Sequence, residues 1–237
     1  MNNEVMISVK GLTKSYWSNV ALRNVSLDLY KGRIVGLLGP NGCGKTTFLK
    51  LMANLLTQYQ GSILINGHKP GLESKKVISY LPDRNYLSES WNAYEAISFF
   101  KDFYDDFNDA KALDLLTKLQ IDPAMKFKSM SKGTKEKLQL ILVLSREAKV
   151  YLFDEPIAGV DPAARDLIFE LILENYNKQA TVIISTHLIY DVEKILDDVI
   201  FIKNGEIIRY GNVSNIVRSH QKSIEELFKE DFKWHLS

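Results

Sequence analysis

The stretch Gly39-Pro40-Asn41-Gly42-Cys43-Gly44-Lys45-Thr46 interleaves glycines with one lysine and ends on a hydroxyl. Glycines at this spacing let the backbone curl until successive amide N–H groups point inward at an anion. A helix opening behind the loop adds the partial positive charge of its first turn. Lys45 supplies a full charge. One ion contact at an effective dielectric near 20 is worth about 4 kcal/mol, against roughly 0.3–1 kcal/mol for a helix-end interaction, so Lys45 dominates charge compensation. Thr46 offers its hydroxyl to a Mg²⁺ ion carried by phosphates, and the phosphate-binding stretch runs on through Thr47. Cys43 reads either as a reactive thiol or as a small residue filling loop space, and the second is the simpler reading.

A second constellation is Val150-Tyr151-Leu152-Phe153-Asp154-Glu155-Pro156, an apolar strand ending in two adjacent acids. Side chains of neighbouring residues diverge at a strand end. One carboxylate, Asp154, therefore meets the Mg²⁺ shell, while Glu155 faces the terminal phosphate and orients or deprotonates an attacking water. An isolated Asp-Glu pair after a strand reads as a solvated turn; the glycine loop upstream favours hydrolysis.

These groups need rigid elements beneath them. The continuous apolar run Ile34 to Leu38 before the glycine loop predicts a strand buried on both faces, and Thr46 to Leu55 a helix. Around them, Val5 to Val9, Leu22 to Leu29, Ser62 to Ile65 and Val77 to Leu81 read as strands, with Asn66-Gly67 a tight turn. The pattern then becomes helical over Trp91 to Phe107, Asp109 to Leu119 and beyond Gly133. Strands return at Val150 to Phe153, Thr181 to Ser185 and Val199 to Ile202. Asp161 is the expected N-cap of a helix with Pro162 at its first position, and Asn204-Gly205 marks a hairpin. Strand and helix in alternation predict a mainly parallel α/β sheet.

The chain has 237 residues, 30 Lys+Arg against 29 Asp+Glu, a net charge of +1 and one cysteine. Ordinary globular composition excludes disordered and collagenous classes, and near-neutral charge argues against nucleic acid as a partner. One cysteine permits neither an internal disulfide nor a thiolate metal cage, which fits a reducing compartment. The apolar runs fall short of the roughly 18 residues of a spanning helix, and the N-terminus reads as a strand rather than a signal peptide.

Taken together, the motifs resemble, in order and over nearly the whole chain, the nucleotide-binding subunits of ABC transporters. Tyr16 is similar to the aromatic that stacks on adenine, with Trp17 beside it as a rival. Tyr80-Leu81-Pro82-Asp83 falls at the Q-loop, where Asp83 replaces the usual glutamine that touches Mg²⁺ or water, and as a carboxylate it can still ligate Mg²⁺ beside Thr46 and Asp154. Met130-Ser131-Lys132-Gly133-Thr134 resembles the signature motif. It keeps Ser131 and Gly133, which by resemblance close over the γ-phosphate bound to a second subunit. Ala158-Gly159-Val160-Asp161 resembles the D-loop, with Asp161 in inter-subunit contact, and Thr186-His187 the switch histidine that contacts the γ-phosphate. His68, His220 and His235 match nothing.

The resemblance implies an α/β P-loop NTPase fold: a mainly parallel sheet core, an N-terminal antiparallel β subdomain and an inserted helical lobe. It spans residues 1–237 as one domain, with the lobe over about 86–147 and terminal helices over about 212–232. It further implies ATP and Mg²⁺ as cofactors, ATP hydrolysis, a second nucleotide-binding subunit, and a permease chain in the membrane. That permease is of exporter type by the form of the signature, in which Lys132 stands for the first glycine and Thr134 for the glutamine. The expected location is cytoplasmic, peripheral on the inner face of the membrane. The alternative is a soluble ATPase of the same type acting on a ribosome, DNA or protein assembly.

Overall fold

The computed structural model describes residues 4–158 and 160–232, with residues 162–164 described by their backbone alone. Val5–Tyr16 (β1) and Asn19–Tyr30 (β2) form an antiparallel hairpin turned by Trp17 and Ser18. Ile34–Leu38 (β3) leads through the glycine loop into Lys45–Met52 (α1), and Gln60–Ile65 (β4) returns to pair with the free edge of β1. Leu72–Val77 (α2) precedes Ile78–Leu81 (β5). Three helices follow, Ala93–Phe103 (α3), Asp109–Lys118 (α4) and Lys132–Leu144 (α5). Val150–Asp154 (β6), Pro162–Asn175 (α6), Thr181–Thr186 (β7) and Ile189–Val192 (α7) come next. Asp198–Lys203 (β8), Glu206–Asn212 (β9), Val213–His220 (α8) and Ile224–Phe232 (α9) complete the described chain.

The strands form an antiparallel sheet β2-β1-β4 and a six-stranded sheet β5-β6-β7-β3-β8-β9, parallel except for β9 at its edge. The apolar strands are covered on both faces, which is why their sequences run hydrophobic without alternation. Ile34 and Leu38 of β3 join Tyr151 and Phe153 of β6 on the face toward α3–α5, while Val35, Leu37 and Leu152 face the other way. On that other face α1 is clamped between the two sheets by Phe48, Leu49, Leu51 and Met52, all buried, each contributing about 1.5–3 kcal/mol. Both Asn-Gly pairs turn as their sequence predicts. Asn66 and Gly67 sit at φ 48° and 80°, Asn204 and Gly205 at 50° and 81°, a conformation that asparagine tolerates and glycine adopts freely.

Several boundaries differ from expectation. The α3 helix starts at Ala93, capped by Asn92 and Glu95 in a reciprocal box, and stops at Phe103 instead of Phe107. Tyr104 is extended there, and Phe107 pairs with Arg146 as a bridge. Similarly α1 stops at Met52, because Asn54 turns the chain with φ 54°. Val77 closes α2, an unexpected helix, so β5 starts at Ile78. Asp161 does occupy the N-cap of α6, but its side chain accepts no capping hydrogen bond. Two helices, α8 and α9, end the described chain, divided at Gln221, whose φ is 53°. Among the described residues no helix is long and apolar enough to cross a membrane.

Candidate active site

Strand order brings the motifs together. In the sheet β6, β7 and β3 are neighbours, registered so that Asp154 lies opposite Ser185 and Leu38 opposite Thr186. Residues that follow three parallel strands therefore meet at one carboxyl edge, where open α/β sheets bind ligands. Packing shapes the glycine loop. A Cβ at Gly39 would lie 2.4 Å from the Ile202 carbonyl oxygen, and one at Gly44, with φ +114°, would lie 2.6 Å from that of Ala21. Asn41 and Gly42 face solvent, Pro40 and Thr47 are half-buried, and Cys43 is buried. Burial pushes the Cys43 thiol above its ordinary value, which favours the space-filling role over the reactive one.

Lys45 is almost fully buried. Its Nζ donates to the Gly39 and Pro40 carbonyls at 2.7 and 3.2 Å and lies 3.2 Å from Glu155 Oε1. The other Glu155 oxygen, Oε2, is 3.1 Å from His187 Nδ1. The Lys45 contact lacks hydrogen-bond alignment, so Oε1 is held by charge and has no directed donor. Asp154, with no exposed surface, accepts from Ser185 Oγ at 2.7 Å and Thr46 Oγ1 at 3.1 Å on one oxygen, and from Tyr80 Oη at 3.4 Å on the other. Burial raises its pKa first of all; Ser185 and Thr46 oppose the shift, and the charges of Asp83 and Glu155 add to it. Tyr80 is likewise pushed well above its usual value, by burial and then by the Asp154 charge, so it stays a neutral donor.

Asp83 is exposed beyond β5, 3.9 Å from Arg84, and lines a cleft of about 340 Å³ with Glu155, Lys132 and Gln139. Ser131 caps α5 by accepting from the Thr134 amide at 3.2 Å, and both Ser131 and Gly133 face solvent. Among the described residues no hydrogen bond ties Ser131 to the glycine loop. Asp161 is exposed, whereas Gly159 lies outside the described residues. Tyr16 ends β1 under Lys14, whose Nζ is 4.9 Å from the ring centroid, and Trp17 stands fully exposed at the hairpin tip. His220 contacts Arg209 and Ser219, away from the site.

The sequence reading missed Ser185 and Tyr80. Ser185 holds both acids: it donates to Asp154 and, through Oγ and its carbonyl, accepts the Glu155 amide at 3.1 Å. A serine directly after the apolar run Val182-Ile183-Ile184 of a buried strand is the available signal for it. The Tyr80 hydroxyl carried no comparable signal, because a tyrosine suits a half-buried strand regardless.

A glycine loop between a buried strand and a helix, with a lysine inside it and a carboxylate pair on the neighbouring strand, defines a P-loop nucleoside-triphosphate-binding protein. The family model described as ABC transporter matches residues 22–158, more than half of the chain. An uncharacterised ABC transporter ATP-binding protein of Methanocaldococcus jannaschii is 32% identical, over 90% of this chain and 79% of its own length. A lantibiotic transport ATP-binding protein of Streptococcus pyogenes is 28% identical, over 94% and 96%. A solved ATP-binding subunit of an ABC transporter superposes with a TM-score of 0.84 at 28% identity, covering 95% of this chain and 98% of that one. A dimeric ATP-binding cassette in a post-hydrolysis state with ADP and phosphate, at 24% identity and a TM-score of 0.77, shares the fold over 87% and 98%. The chain belongs to the ABC transporter family as one of its ATP-binding subunits, and it is an ABC-type ATPase.

Proposed function

We propose that this chain powers a membrane exporter whose permease is a separate polypeptide, and that it works as a dimer with each ATP held between Lys45 of one subunit and Ser131 of the other. The carrying observation is that half of the machinery faces away. Lys45, Glu155 and His187 converge within one chain, while Ser131, Gly133 and Asp161 stand exposed and, among the described residues, make no hydrogen bond to them. The dimeric cassette described above supports this reading. The lantibiotic transport relative and the form of the signature support export.

In this reading the amides from Gly39 to Thr47 and the ammonium of Lys45 bind the phosphates. Tyr16 stacks on the base, and Glu155 accepts the proton of an attacking water. His187, against Glu155, holds that carboxylate in place and meets the γ-phosphate. Thr46 and Asp154 would hold Mg²⁺, with Asp83 close enough to raise Asp154's pKa. The donor set fits: two oxygens from the chain leave most positions to phosphate and water, as Mg²⁺ prefers. When bound, the ion neutralises charge on the phosphates.

A groove of about 460 Å³ lies between β5 and the helical lobe, floored by Ile78, Tyr80, Phe100 and Tyr104 and edged by Lys50 and Lys75, which have no ion-pair partner among the described residues. It suits docking of the permease, which would hold the chain at the membrane. Glu155→Gln tests the reading: ATP affinity is kept, turnover falls by about 10²–10⁴-fold, and an ATP-bound dimer accumulates in size-exclusion chromatography. Normal turnover refutes the role of Glu155. Recovery of this chain with ribosomes or DNA, in place of a polytopic membrane protein, refutes the permease.

A further inference from the structure

Gln139 lies in the middle of α5, among Leu138, Leu140, Ile141 and Leu142, and only 4% of it is exposed. A buried amide in an apolar stretch is costly unless its donors and acceptor are all used. They are. Its Oε1 accepts from the Tyr86 amide at 3.1 Å, and its Nε2 donates to Asn85 Oδ1 at 2.7 Å and to the Lys135 carbonyl at 3.3 Å. On the other side of Asp83, Ser79 Oγ donates to the Val143 carbonyl at 2.9 Å, one turn further along the same helix. Both ends of the short segment bearing Asp83 are thus pinned to α5. Ser131, at the start of α5, is eight residues upstream of Gln139, a rise of about 12 Å along a rigid helix.

We propose that Gln139 is a positioning residue linking the Asp83 segment to Ser131, so that a shift of Asp83 beside the nucleotide of one subunit moves the surface offered to the nucleotide of the other. Ser79 ties the strand side of the segment to α5, and Gln139 ties the side beyond Asp83 to the same helix. An apolar residue at 139 would satisfy packing, but it would leave the Tyr86 amide and Asn85 unattached and the Asp83 segment tied to the helix on the Ser79 side alone. The link rests on the dimer reading proposed above.

A double-mutant cycle in the full chain tests it. In a Glu155→Gln background, Gln139→Met and Asp83→Ala are measured singly and together, reading the ATP concentration that half-converts monomer to dimer. A fluorescent ADP analogue gives the affinity of the monomer. The expected result is unchanged ADP affinity for Gln139→Met, a rise of about 5- to 150-fold in that ATP concentration for each single variant, and a double variant no worse than the worse single one. A double variant showing the product of the single effects overturns the link. So does parental dimerisation by either single variant. Asn85→Ala, at an exposed position, cuts the same link from outside and carries the cycle if Gln139→Met fails to fold. A Glu155→Gln chain that stays monomeric with ATP removes the dimer reading instead. The cycle is then read on kcat with native Glu155, where multiplicative effects overturn the link.

Discussion

Replacing Ser185 by alanine removes one oxygen from the floor of the site, and its effect can be worked out from the contacts. The hydroxyl makes the shortest bond to Asp154, at 2.7 Å, leaving Thr46 at 3.1 Å and Tyr80 at 3.4 Å as the remaining donors to that buried carboxylate. The Glu155 amide loses the hydroxyl but keeps the Ser185 carbonyl at 3.1 Å, so the loss falls mainly on Asp154. A hydrogen bond to a charged group is worth about 1.5–3 kcal/mol, or about 3–12 °C in melting temperature for a chain of this size. The sign with pH follows from Asp154, whose pKa in the fold lies above its unfolded value because burial outweighs the donors. The fold therefore favours the protonated acid. Stability from this group is present below the ordinary carboxylate value and declines as pH rises to the folded pKa. Ser185 opposes that decline, so Ser185→Ala costs most above the folded pKa and little below the unfolded one. Denaturation of both proteins across pH, in chelator and without nucleotide, measures it. A loss of equal size at all pH values, or one that grows on acidification, would refute the assignment of the Ser185 bond to the ionised carboxylate.

Arg146 ties the helical lobe to β5. Only 1% exposed, its guanidinium forks onto Asp106 at 2.8 and 3.0 Å, donates to the Lys76 and Ile78 carbonyls and stacks 3.7 Å over Tyr104. Arg146→Leu should cost about 3–5 kcal/mol in urea denaturation, and Arg146→Lys should recover only part of that, since an ammonium cannot reproduce the fork. In the glycine loop, Gly44→Ala combines a left-handed backbone with a Cβ 2.6 Å from the Ala21 carbonyl, whereas a Cβ at Gly42 meets nothing within 4 Å. Nucleotide titration should find binding abolished by the first, and the second should lose only about 1–2 kcal/mol of stability from backbone strain.

Much of the site was legible because its chemistry is carried by short contiguous motifs. The glycine loop and the Asp154-Glu155 pair each sit beside an apolar run that predicts its own strand, and local pattern suffices for both. What joins them is not local. The neighbourhood of β6, β7 and β3 depends on which parallel strands pair; β3 and β7 lie more than a hundred residues apart, and nothing in Ile34–Leu38 names Thr181–Thr186 as its partner. Helix ends were misjudged for the same reason. Phe107 keeps the helical spacing of α3, yet it leaves the helix because Arg146, forty residues on, holds Asp106. Gln139 reads in sequence as a polar residue on a helix, and only the packed lobe shows that it faces inward.

Glu155 shows how backbone conformation completes what the motif begins. A regular strand would carry adjacent side chains to opposite faces, sending the Asp154 carboxylate toward α1 and Glu155 away from it. Instead Glu155 takes φ 51°, a conformation that costs a non-glycine residue about 1–2 kcal/mol. The turn is held by the Glu155 amide on Ser185 and by the Ala158 amide on the Glu155 carbonyl. It swings the carboxylate back over the carboxyl edge of the sheet, between Lys45 and His187. The strain therefore stands where two acids, adjacent in sequence, must serve one site from the same side. Glycine at 155 would relieve the strain and remove the base together, so a residue able to bear both burdens has to be one whose backbone is fixed by its neighbours.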